Sequence, residues 1–269
     1  MDSSNKTRLQ VEALDDRVLP AVTFFSGVSG ITMYDHLTGN TQVITPNQPY
    51  AIDEGRDGVV FASFDSGVWY YNGNNDRWGR LSPNPAQVIS AAEDNTLVAS
   101  FVGQGTFQFA QGNWRRLTRR PADQLATVQR NHVFASFDGF GTWEYVKGWT
   151  QLNEADALTM AASVDGSLFV GYDTGTYGYD GTDWDRLTRA IAIDLASATG
   201  DQVFGVFRSG LFAYNTTDGW NRLSYFQMEE ITIDTESPLA ASVSFLGLYE
   251  FDDVEGLARI GIENIDMLA

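Results

Sequence analysis

The stretch AIDEGRDGVVFASFDSGVWYYNGNNDRWGRLS, residues Ala51–Ser82, contains the pattern that determines the fold. One apolar run ends at Phe64, Asp-Ser-Gly reverses the chain, and a second run from Val68 to Tyr71 ends in Asn-Gly-Asn-Asn-Asp. A period of two indicates strands, and Gly and Asn supply the positive φ angles of tight hairpin turns. The Ile-Asp segment before these runs and the Trp segment after them add two further strands. The stretch therefore predicts a unit of about four strands, the size of a propeller blade.

The same unit recurs along the chain, which is the signature of a repeat architecture. A Trp followed three residues later by Leu occurs at spacings of 35 or 36 residues, at Trp78, Trp114, Trp149, Trp184 and Trp220. A Gly that opens an aromatic-rich run recurs every 34 to 38 residues, at Gly30, Gly67, Gly105, Gly141, Gly175, Gly210 and Gly247. Seven copies without a useful helical stretch predict an all-β, seven-bladed β-propeller with four-stranded blades.

Two further features favour a ring over a β-sandwich. Small residues at one place in the second strand suit blades that converge near an axis; they are Ala62, Ala99, Ala135, Val170, Gly205 and Ala241. The first unit, from Val22, lacks an Ile-Asp strand. The stretch ENIDMLA, Glu263–Ala269, is an additional Ile-Asp strand that follows the last unit. We therefore expect the C-terminal strand to close the ring and remove exposed sheet edges. This assigns residues 1–21 to a leader outside the ring and residues 22–269 to the propeller.

Composition excludes several classes of function. With 17 basic and 35 acidic residues the net charge is −18, so the protein repels phosphate backbones and nucleic acid is a poor partner. The sequence has no Cys, which excludes disulfides, cysteine-zinc sites and thiol catalysis. No run of 18 apolar residues occurs, so we expect no transmembrane segment. We also expect a monomer.

The repeat unit resembles the two-component-regulator propeller repeat. Shared features are an inner strand with Ile and an acidic residue, an Asp-Gly turn, a Gly-Leu-Tyr-x-Tyr strand and a Trp-x-x-Leu-Thr strand. The resemblance covers nearly all of residues 22–269 and implies a β-propeller, not a signalling role. A shorter stretch, SFDGFGTW at Ser136–Trp143, is similar to the Asp-box of sialidase propellers. We interpret it as a hairpin turn.

The leader carries a second resemblance. The stretch RLQVEALDDRVLPAV, Arg8–Val22, is similar to the Leu-Glu-x-Leu-Glu-Asp-Arg-x-x-Pro-Ala motif near the start of many surface or exported proteins of planctomycete bacteria. The resemblance implies an export or attachment segment, and hence an extracellular or cell-surface location. The leader lacks the apolar region of an ordinary signal peptide, so a cytoplasmic location and a disordered acidic leader stay open.

Candidate ligands for a cation are the aspartates of the inner strands. They fall in four neighbouring blades of the closed ring, at Asp53, Asp194, Asp234 and Asp266. They recur at one place in the repeat, so we expect them to form an acidic arc at one mouth of the channel, where hard oxygen ligands suit Ca²⁺. The alternative is that each Asp caps its own turn through backbone hydrogen bonds. The two histidines, His36 and His132, lie in different units and lack metal-ligand spacing.

Arginines give a further candidate. One recurs in the Trp segment, at Arg80, Arg116, Arg186 and Arg222. We expect it to pair with an Asp or to stack on an aromatic ring of its own blade. The cluster formed by Arg115, Arg116, Arg119 and Arg120 indicates either a patch for an anionic partner or a surface run that opposes nearby acids.

These features favour a non-catalytic binding scaffold, exported or surface-associated, that recognises a glycan, peptide or protein through loops on one propeller face. Two alternatives stay open because a fold does not determine a function. One is an enzyme, a glycoside hydrolase or lyase, with its site at the channel mouth. The other is a sensor module without its output domain.

Overall fold

The computed structural model describes residues 22–27, 29–73, 75–199, 202–226, 228–232, 239–243, 247–252, 256–259 and 265–268. Within these residues the secondary structure consists of 28 strands and no helix. The predicted leader, residues 1–21, lies outside the described part, so its place relative to the ring stays a prediction.

The described strands form seven four-stranded antiparallel sheets, the blades of a propeller. Within each blade the strands are named A to D from the channel outwards. Strands B to D of blade 1 are β1 (Val22–Gly27), β2 (Gly30–Asp35) and β3 (Asn40–Thr45). Blade 2 has β4 (Ala51–Glu54), β5 (Val59–Phe64), β6 (Gly67–Asn72) and β7 (Arg77–Ser82). Blade 3 has β8 (Val88–Ala91), β9 (Leu97–Phe101), β10 (Gly105–Ala110) and β11 (Asn113–Thr118).

The remaining blades follow in the same order. Blade 4 has β12 (Gln124–Gln129), β13 (His132–Phe137), β14 (Gly141–Tyr145) and β15 (Trp149–Asn153). Blade 5 has β16 (Thr159–Ala162), β17 (Leu168–Tyr172), β18 (Gly175–Tyr179) and β19 (Trp184–Thr188). Blade 6 has β20 (Asp194–Thr199), β21 (Gln202–Phe207), β22 (Gly210–Asn215) and β23 (Gly219–Ser224). Blade 7 has β24 (Glu230–Thr232), β25 (Leu239–Val243), β26 (Gly247–Asp252) and β27 (Gly256–Arg259).

The last strand, β28 (Ile265–Leu268), is strand A of blade 1. It pairs antiparallel with β1, with Leu268 opposite Phe25 and Met267 opposite Ser26. On its two sides β28 contacts β24 and β4, the inner strands of blades 7 and 2. The ring is therefore closed by the C-terminal strand, as the repeat pattern predicts.

In blades 2 to 7 small residues occupy the crowded inner position of strand B, as predicted. Ala62, Ala99 and Ala135 are fully buried, and each lies opposite an aromatic residue of strand C. In blade 1 the large and the small side chain exchange strands, because Phe25 of strand B lies opposite Thr32 of strand C. The total side-chain volume across the two strands is thus kept, as close packing requires.

In blades 2, 3 and 4 the recurring Trp joins its blade to the one before it. In blade 3, Trp114 packs against the rings of Phe101 and Phe109, at centroid distances of 5.6 and 5.2 Å. Its indole Nε1 donates a hydrogen bond of 2.9 Å to the carbonyl oxygen of Leu81 in blade 2. Trp149 bonds in the same way to Leu117 at 3.2 Å. These contacts explain why a Trp recurs in these units, whereas the buried indole Nε1 of Trp220 in blade 6 has no hydrogen-bond partner in the described part of the chain.

The recurring Gly at the start of strand C is required by the backbone. Gly67 and Gly105 have φ angles of 117° and 113°, a region that other residues rarely adopt. A Cβ atom at either position would collide with a strand D carbonyl oxygen, that of Ser82 or Thr118 respectively. The Gly therefore allows the strands C and D to approach each other at this turn.

The connectivity gives the ring two different faces. Because the strands within a blade alternate in direction, the B–C turns and the D–A connections lie on one face, here named the BC/DA face. The A–B and C–D turns lie on the other, the AB/CD face.

Candidate functional site

The inner strands enclose a central channel whose cavity has a volume of about 350 Å³. Its wall is formed by strand A of blades 2 to 7 together with Thr23 of β1. Of the predicted cation ligands, Asp53 and Asp194 line this cavity. A cavity with buried carboxylates is a natural candidate site, so the contacts of these two residues decide its role.

Asp53 fastens blade 2 to blade 3. One carboxylate oxygen, Oδ2, accepts a hydrogen bond of 2.7 Å from the backbone N–H of Ala91, in strand A of the next blade. The other, Oδ1, accepts one of 2.8 Å from the N–H of Glu54. Burial raises the pKa of this carboxyl group to about 7, although the two backbone hydrogen bonds favour its charged form.

Asp194 makes the equivalent link between blades 6 and 7. Its Oδ2 accepts a hydrogen bond of 2.9 Å from the N–H of Ile231, and its Oδ1 accepts one of 2.9 Å from the N–H of Leu195. The hydroxyl of Thr159 lies 3.4 Å from Oδ1. Burial raises the pKa of this carboxyl group to about 6.

A neutral pair makes the same type of link between blades 3 and 4. The backbone N–H of Thr127 donates a hydrogen bond of 2.9 Å to Oγ of Ser90. In return the Thr127 hydroxyl lies 3.2 Å from the carbonyl oxygen of Ser90. Polar side chains of the channel wall therefore hold neighbouring inner strands together, and Asp53 and Asp194 belong to that framework.

The strand registers correct one expectation from the sequence. Asp53 follows Ile52, which pairs with Ala62, whereas Asp194 precedes Leu195, which pairs with the equivalent residue of blade 6, Gly205. The two aspartates thus lie two positions apart in the repeat, not at one place. The Ile-Asp pairs match in sequence, but the inner strand of blade 6 is offset by two residues.

Asp234 lies outside the described residues, as does the side chain of Asp266. Within the described part, no group of three or more His, Asp or Glu side chains is placed to hold a metal ion. Calcium binding by the four aspartates stays a prediction, and melting in the presence of Ca²⁺ and of EDTA tests it.

Both histidines have framework partners. The imidazole of His36 lies 2.8 Å from the hydroxyl of Thr23 through Nε2 and 3.2 Å from the carboxylate of Glu250 through Nδ1. Since Glu250 belongs to blade 7, this ion pair spans the junction at which the ring closes. The Nε2 atom of His132 lies 2.9 Å from the Glu144 carboxylate within blade 4.

The recurring Arg lies opposite an aromatic residue of strand C. Arg80 faces Trp69 and Arg222 faces Phe212 in the strand registers. The guanidinium carbon is 5.8 Å from the Trp69 ring centroid and 4.9 Å from that of Phe212. The expected stacking on an aromatic ring of the same blade is confirmed for these two arginines.

Most arginines of the BC/DA face lack an acidic partner in the described part of the chain. The ion pairs within 4.0 Å found there involve His36, His132 and Arg56. No such pair is made by Arg119, Arg120, Arg186, Arg189, Arg208 or Arg222. These six arginines therefore form no ion pair with an acidic residue of the described part.

The Asp-box-like stretch forms the B–C turn of blade 4, as interpreted from the sequence. The Asp156 carboxylate accepts hydrogen bonds of 2.8 Å from the N–H groups of Gly139 and Gly141. The turn presents Phe140, which is 47% exposed, and the guanidinium of Arg120 lies 3.5 Å from its ring centroid. The turn thus holds an aromatic ring and a cation on the surface.

Exposed apolar side chains are concentrated on the BC/DA face. Of the 12 large hydrophobic residues that are exposed in the described part, eight lie in its turns and connections: Tyr50, Val102, Phe140, Leu158, Ile191, Ile193, Tyr225 and Phe226. Tyr225 is 83% exposed and Phe226 56% exposed. Aromatic residues without cover on a loop-bearing face are typical of interaction surfaces.

Sequence reasoning did not single out Tyr225, Phe226, Ile191 or Ile193. A signal was nevertheless present in the repeat. After the Leu-Ser or Leu-Thr that ends strand D, blades 2 and 3 continue with Pro83 and Arg119, whereas blade 6 continues with two aromatic residues. This difference from the repeat, in the connection that follows strand D, is the sequence signal that indicates an unusual surface there.

No helix in the described residues has the length and apolar character needed to cross a membrane.

No protein-family model matches the chain, and no curated protein matches it in sequence. Solved structures do match its fold. The chain is similar to an acylaminoacyl peptidase from Pyrococcus horikoshii, with a TM-score of 0.65 and 11% identity over 85% of this chain and 47% of the peptidase chain. It is similar to a chain of the mitotic checkpoint complex, with a TM-score of 0.58 and 12% identity over 96% of this chain and 86% of that one.

A third similar structure is YCF48 from Cyanidioschyzon merolae, with a TM-score of 0.57 and 11% identity over 80% of this chain and 86% of that one. At such identities the likeness shows the fold alone. The chain is a seven-bladed β-propeller, and its function has to be argued from its surface.

Proposed function

We propose that the protein is a non-catalytic binding scaffold that recognises its partner through the BC/DA face. The observation that carries this proposal is the concentration of exposed apolar residues there, including Tyr225 and Phe226. Loops on a rigid β framework are where binding residues are commonly found.

The composition of the face supports the same proposal. Aromatic residues and Arg are enriched in the energetically important parts of protein interfaces. On the BC/DA face the two types occur together, because Arg120 stacks on Phe140 and Arg222 on Phe212 and Tyr225. A stacked guanidinium loses little conformational freedom on binding, which favours affinity.

The channel supports a framework role more than a catalytic one. A general acid or base needs a carboxylate oxygen within reach of a substrate proton. In Asp53 and Asp194 both oxygens already accept backbone hydrogen bonds, and one of the two at each residue comes from the inner strand of the next blade. Using either carboxylate in catalysis would weaken the links between blades.

A unique cysteine offers a direct test, because the natural chain has none. Ser209, in the B–C turn of blade 6, and Thr217, in the C–D turn of the same blade, are both exposed. We expect a photo-crosslinker on Ser209→Cys to trap a partner from an extract of the producing cells, and excess unlabelled protein to suppress that product. The matched variant Thr217→Cys, on the opposite face, should trap little. Equal crosslinking from both cysteines, or products that the unlabelled protein does not suppress, would contradict the proposal.

We also propose that the protein acts outside the cell or at its surface. The support is the similarity of Arg8–Val22 to the motif of exported proteins. Antibody labelling of intact producing cells tests this location. Labelling that appears only after the cells are permeabilised would contradict it.

A further inference from the structure

The BC/DA face is not uniform, and its most exposed large apolar residue, Tyr225, follows the last strand of blade 6. A part of this face on blades 5 and 6, here named the Arg222 sector, consists of Arg189, Ile191, Arg208, Arg222, Tyr225 and Phe226. We propose that the Arg222 sector binds a polypeptide segment that carries both acidic and apolar side chains. The inference rests on the proposed function and names the chemistry of the partner.

The geometry of Arg222 suits a carboxylate. Its guanidinium carbon lies 4.9 Å from the ring centroid of Phe212 and 4.4 Å from that of Tyr225. Contact with two rings orients the planar group while Arg222 itself stays exposed. Since stacking uses the faces of a guanidinium, its N–H groups stay available in the plane, where they match the two oxygens of a carboxylate.

Exposed apolar side chains lie on the same face of blades 5 and 6 as this cation. Tyr225 is 83% exposed, Phe226 56%, and Ile191 and Ile193 44% and 43%. Phe226 lies beside Tyr249, with a centroid distance of 6.4 Å. The aliphatic residues favour a peptide over a glycan, because a sugar stacks on aromatic rings but brings hydroxyl groups that Ile cannot satisfy.

The charge of the sector suits an acidic segment. The turns and strand ends of blades 5 and 6 on this face carry Arg186, Arg189, Arg208 and Arg222. The exposed acidic residues of the same turns and of the connection to blade 7 are Asp173 and Glu229, while Asp194 and Glu230, at the starts of β20 and β24, are only partly exposed. In a protein of net charge −18, four exposed arginines against two exposed acids mark a local excess of positive charge.

The opposite face of the same two blades has the opposite charge. In the described part of their A–B and C–D turns lie Asp165, Asp180, Asp183 and Asp218, and no basic residue. An acidic segment is therefore attracted to one face and repelled by the other. The balance of charges also distinguishes the Arg222 sector from blades 3 and 4. There Arg119 and Arg120 share the BC/DA face with four acidic residues, Asp123, Asp138, Glu154 and Asp156.

An array of short synthetic peptides tests the chemistry. Glu content and Leu content are varied independently, and the array is probed with the fluorescently labelled full chain. We expect the fluorescence signal to increase with Glu content and with Leu content. Peptides in which Gln replaces Glu should bind about tenfold more weakly. Arg222→Ala should weaken binding of Glu-containing peptides about tenfold, and Arg222→Lys should restore only part of it. The control Arg77→Ala, at an exposed residue that begins β7 on the AB/CD side, should bind like the natural protein.

Several outcomes would overturn the inference. They are equal binding of Glu and Gln peptides, equal losses in Arg222→Ala and Arg77→Ala, and absence of binding to every peptide. Binding of a sulfated oligosaccharide in place of peptides would assign the sector to glycans. Concentration-dependent self-association that Arg222→Ala abolishes would assign it to a second copy of the chain. If crosslinking from Ser209→Cys persists while acidic peptides fail to bind, the proposed function stands and this inference alone is wrong.

Discussion

Asp53 in the channel and Arg222 on the BC/DA face are both charged residues beside the ends of strands, but their surroundings differ. Asp53 is partly buried, and both of its oxygens accept backbone hydrogen bonds at 2.7 and 2.8 Å. Arg222 is exposed, lies against two aromatic rings, and has no carboxylate within 4.0 Å among the described residues. Backbone N–H groups of the ring already bind both oxygens of Asp53, whereas the guanidinium of Arg222 is held in position without an acidic partner among the described residues.

The same contrast separates residues that recur from residues that break the repeat. Trp114 and Gly105 belong to sets that recur along the chain, and their contacts are internal to the ring. Tyr225 and Phe226 replace residues such as Pro83 and Asn84, and they are exposed. In a repeat protein a recurring residue therefore indicates the framework, and a departure at the surface indicates a candidate site.

The largest expected effect comes from the closing strand. Deleting Glu263–Ala269 removes β28 and its pairing with β1, and it exposes the inner strands of the neighbouring blades. We expect a loss of several kcal/mol, comparable to the stability of a whole domain of ~5–15 kcal/mol. Urea unfolding measures it. Deleting residues 2–21, the predicted leader, is the control and should leave stability almost unchanged. A chain without β28 that unfolds like the full chain would show that closure contributes little.

The next effect concerns a recurring framework residue. Trp149 packs against Phe137 and Tyr145 at 5.3 and 5.2 Å and bonds to the carbonyl oxygen of Leu117. We expect Trp149→Ala to cost about 3 kcal/mol because it leaves a cavity between blades 3 and 4. Trp149→Phe keeps a ring and loses the hydrogen bond, so its cost should be about 1 kcal/mol. Equal losses in the two variants would mean that packing of the ring does not determine the effect.

The fold was predictable because its signals recur. Each Gly and each Trp is weak evidence alone, but seven glycines and five tryptophans at a constant spacing determine the number of blades and the closing strand. The acidic arc was harder to predict because register is not visible in a matched dipeptide. Ile193-Asp194 resembles Ile52-Asp53 in sequence, whereas strand pairing aligns Leu195 with Ile52. A two-residue shift keeps each side chain on the same face of the strand but moves it by about 7 Å along the strand, so the aspartates do not meet at one level of the channel.

The third prediction is that the stability contributed by Asp53 and Asp194, which link neighbouring inner strands of the channel, depends on pH. Burial raises the pKa values of Asp53 and Asp194 to about 7 and about 6, above the unfolded value of ~3.9. Their contribution to stability is therefore fully present below ~pH 3.9 and is lost as the pH rises through 6 to 7. We expect the stability of the natural protein relative to Asp53→Asn to fall with rising pH, by at most ~1.4 kcal/mol per pH unit.

Urea unfolding at several pH values between ~4.5 and ~8 measures this difference. Ser90→Ala is a suitable control, because Ser90 also bonds to the next inner strand, at 2.9 Å, but does not titrate. Its cost should be about 1 kcal/mol at every pH. Parallel pH curves for the natural protein and Asp53→Asn would mean that the buried carboxyl group is not the cause.

The smallest expected effect on stability is at the surface that we propose as the binding site. Tyr225 and Phe226 are 83% and 56% exposed, so replacing both by Ala removes little buried area, and the free energy of unfolding should change by less than about 0.5 kcal/mol. The control Leu211→Ala, at a fully buried residue of the same blade, should cost ~2–5 kcal/mol. Thermal melts and urea unfolding measure both. Binding should respond in the opposite order, because loss of the two rings removes the apolar contacts and the stacking partner of Arg222. A large loss of stability in the double variant would instead show that these aromatic residues belong to the framework of the ring. The distinction between residues that recur and residues that differ from the repeat would then fail at Tyr225 and Phe226, where the two classes differ most in exposure.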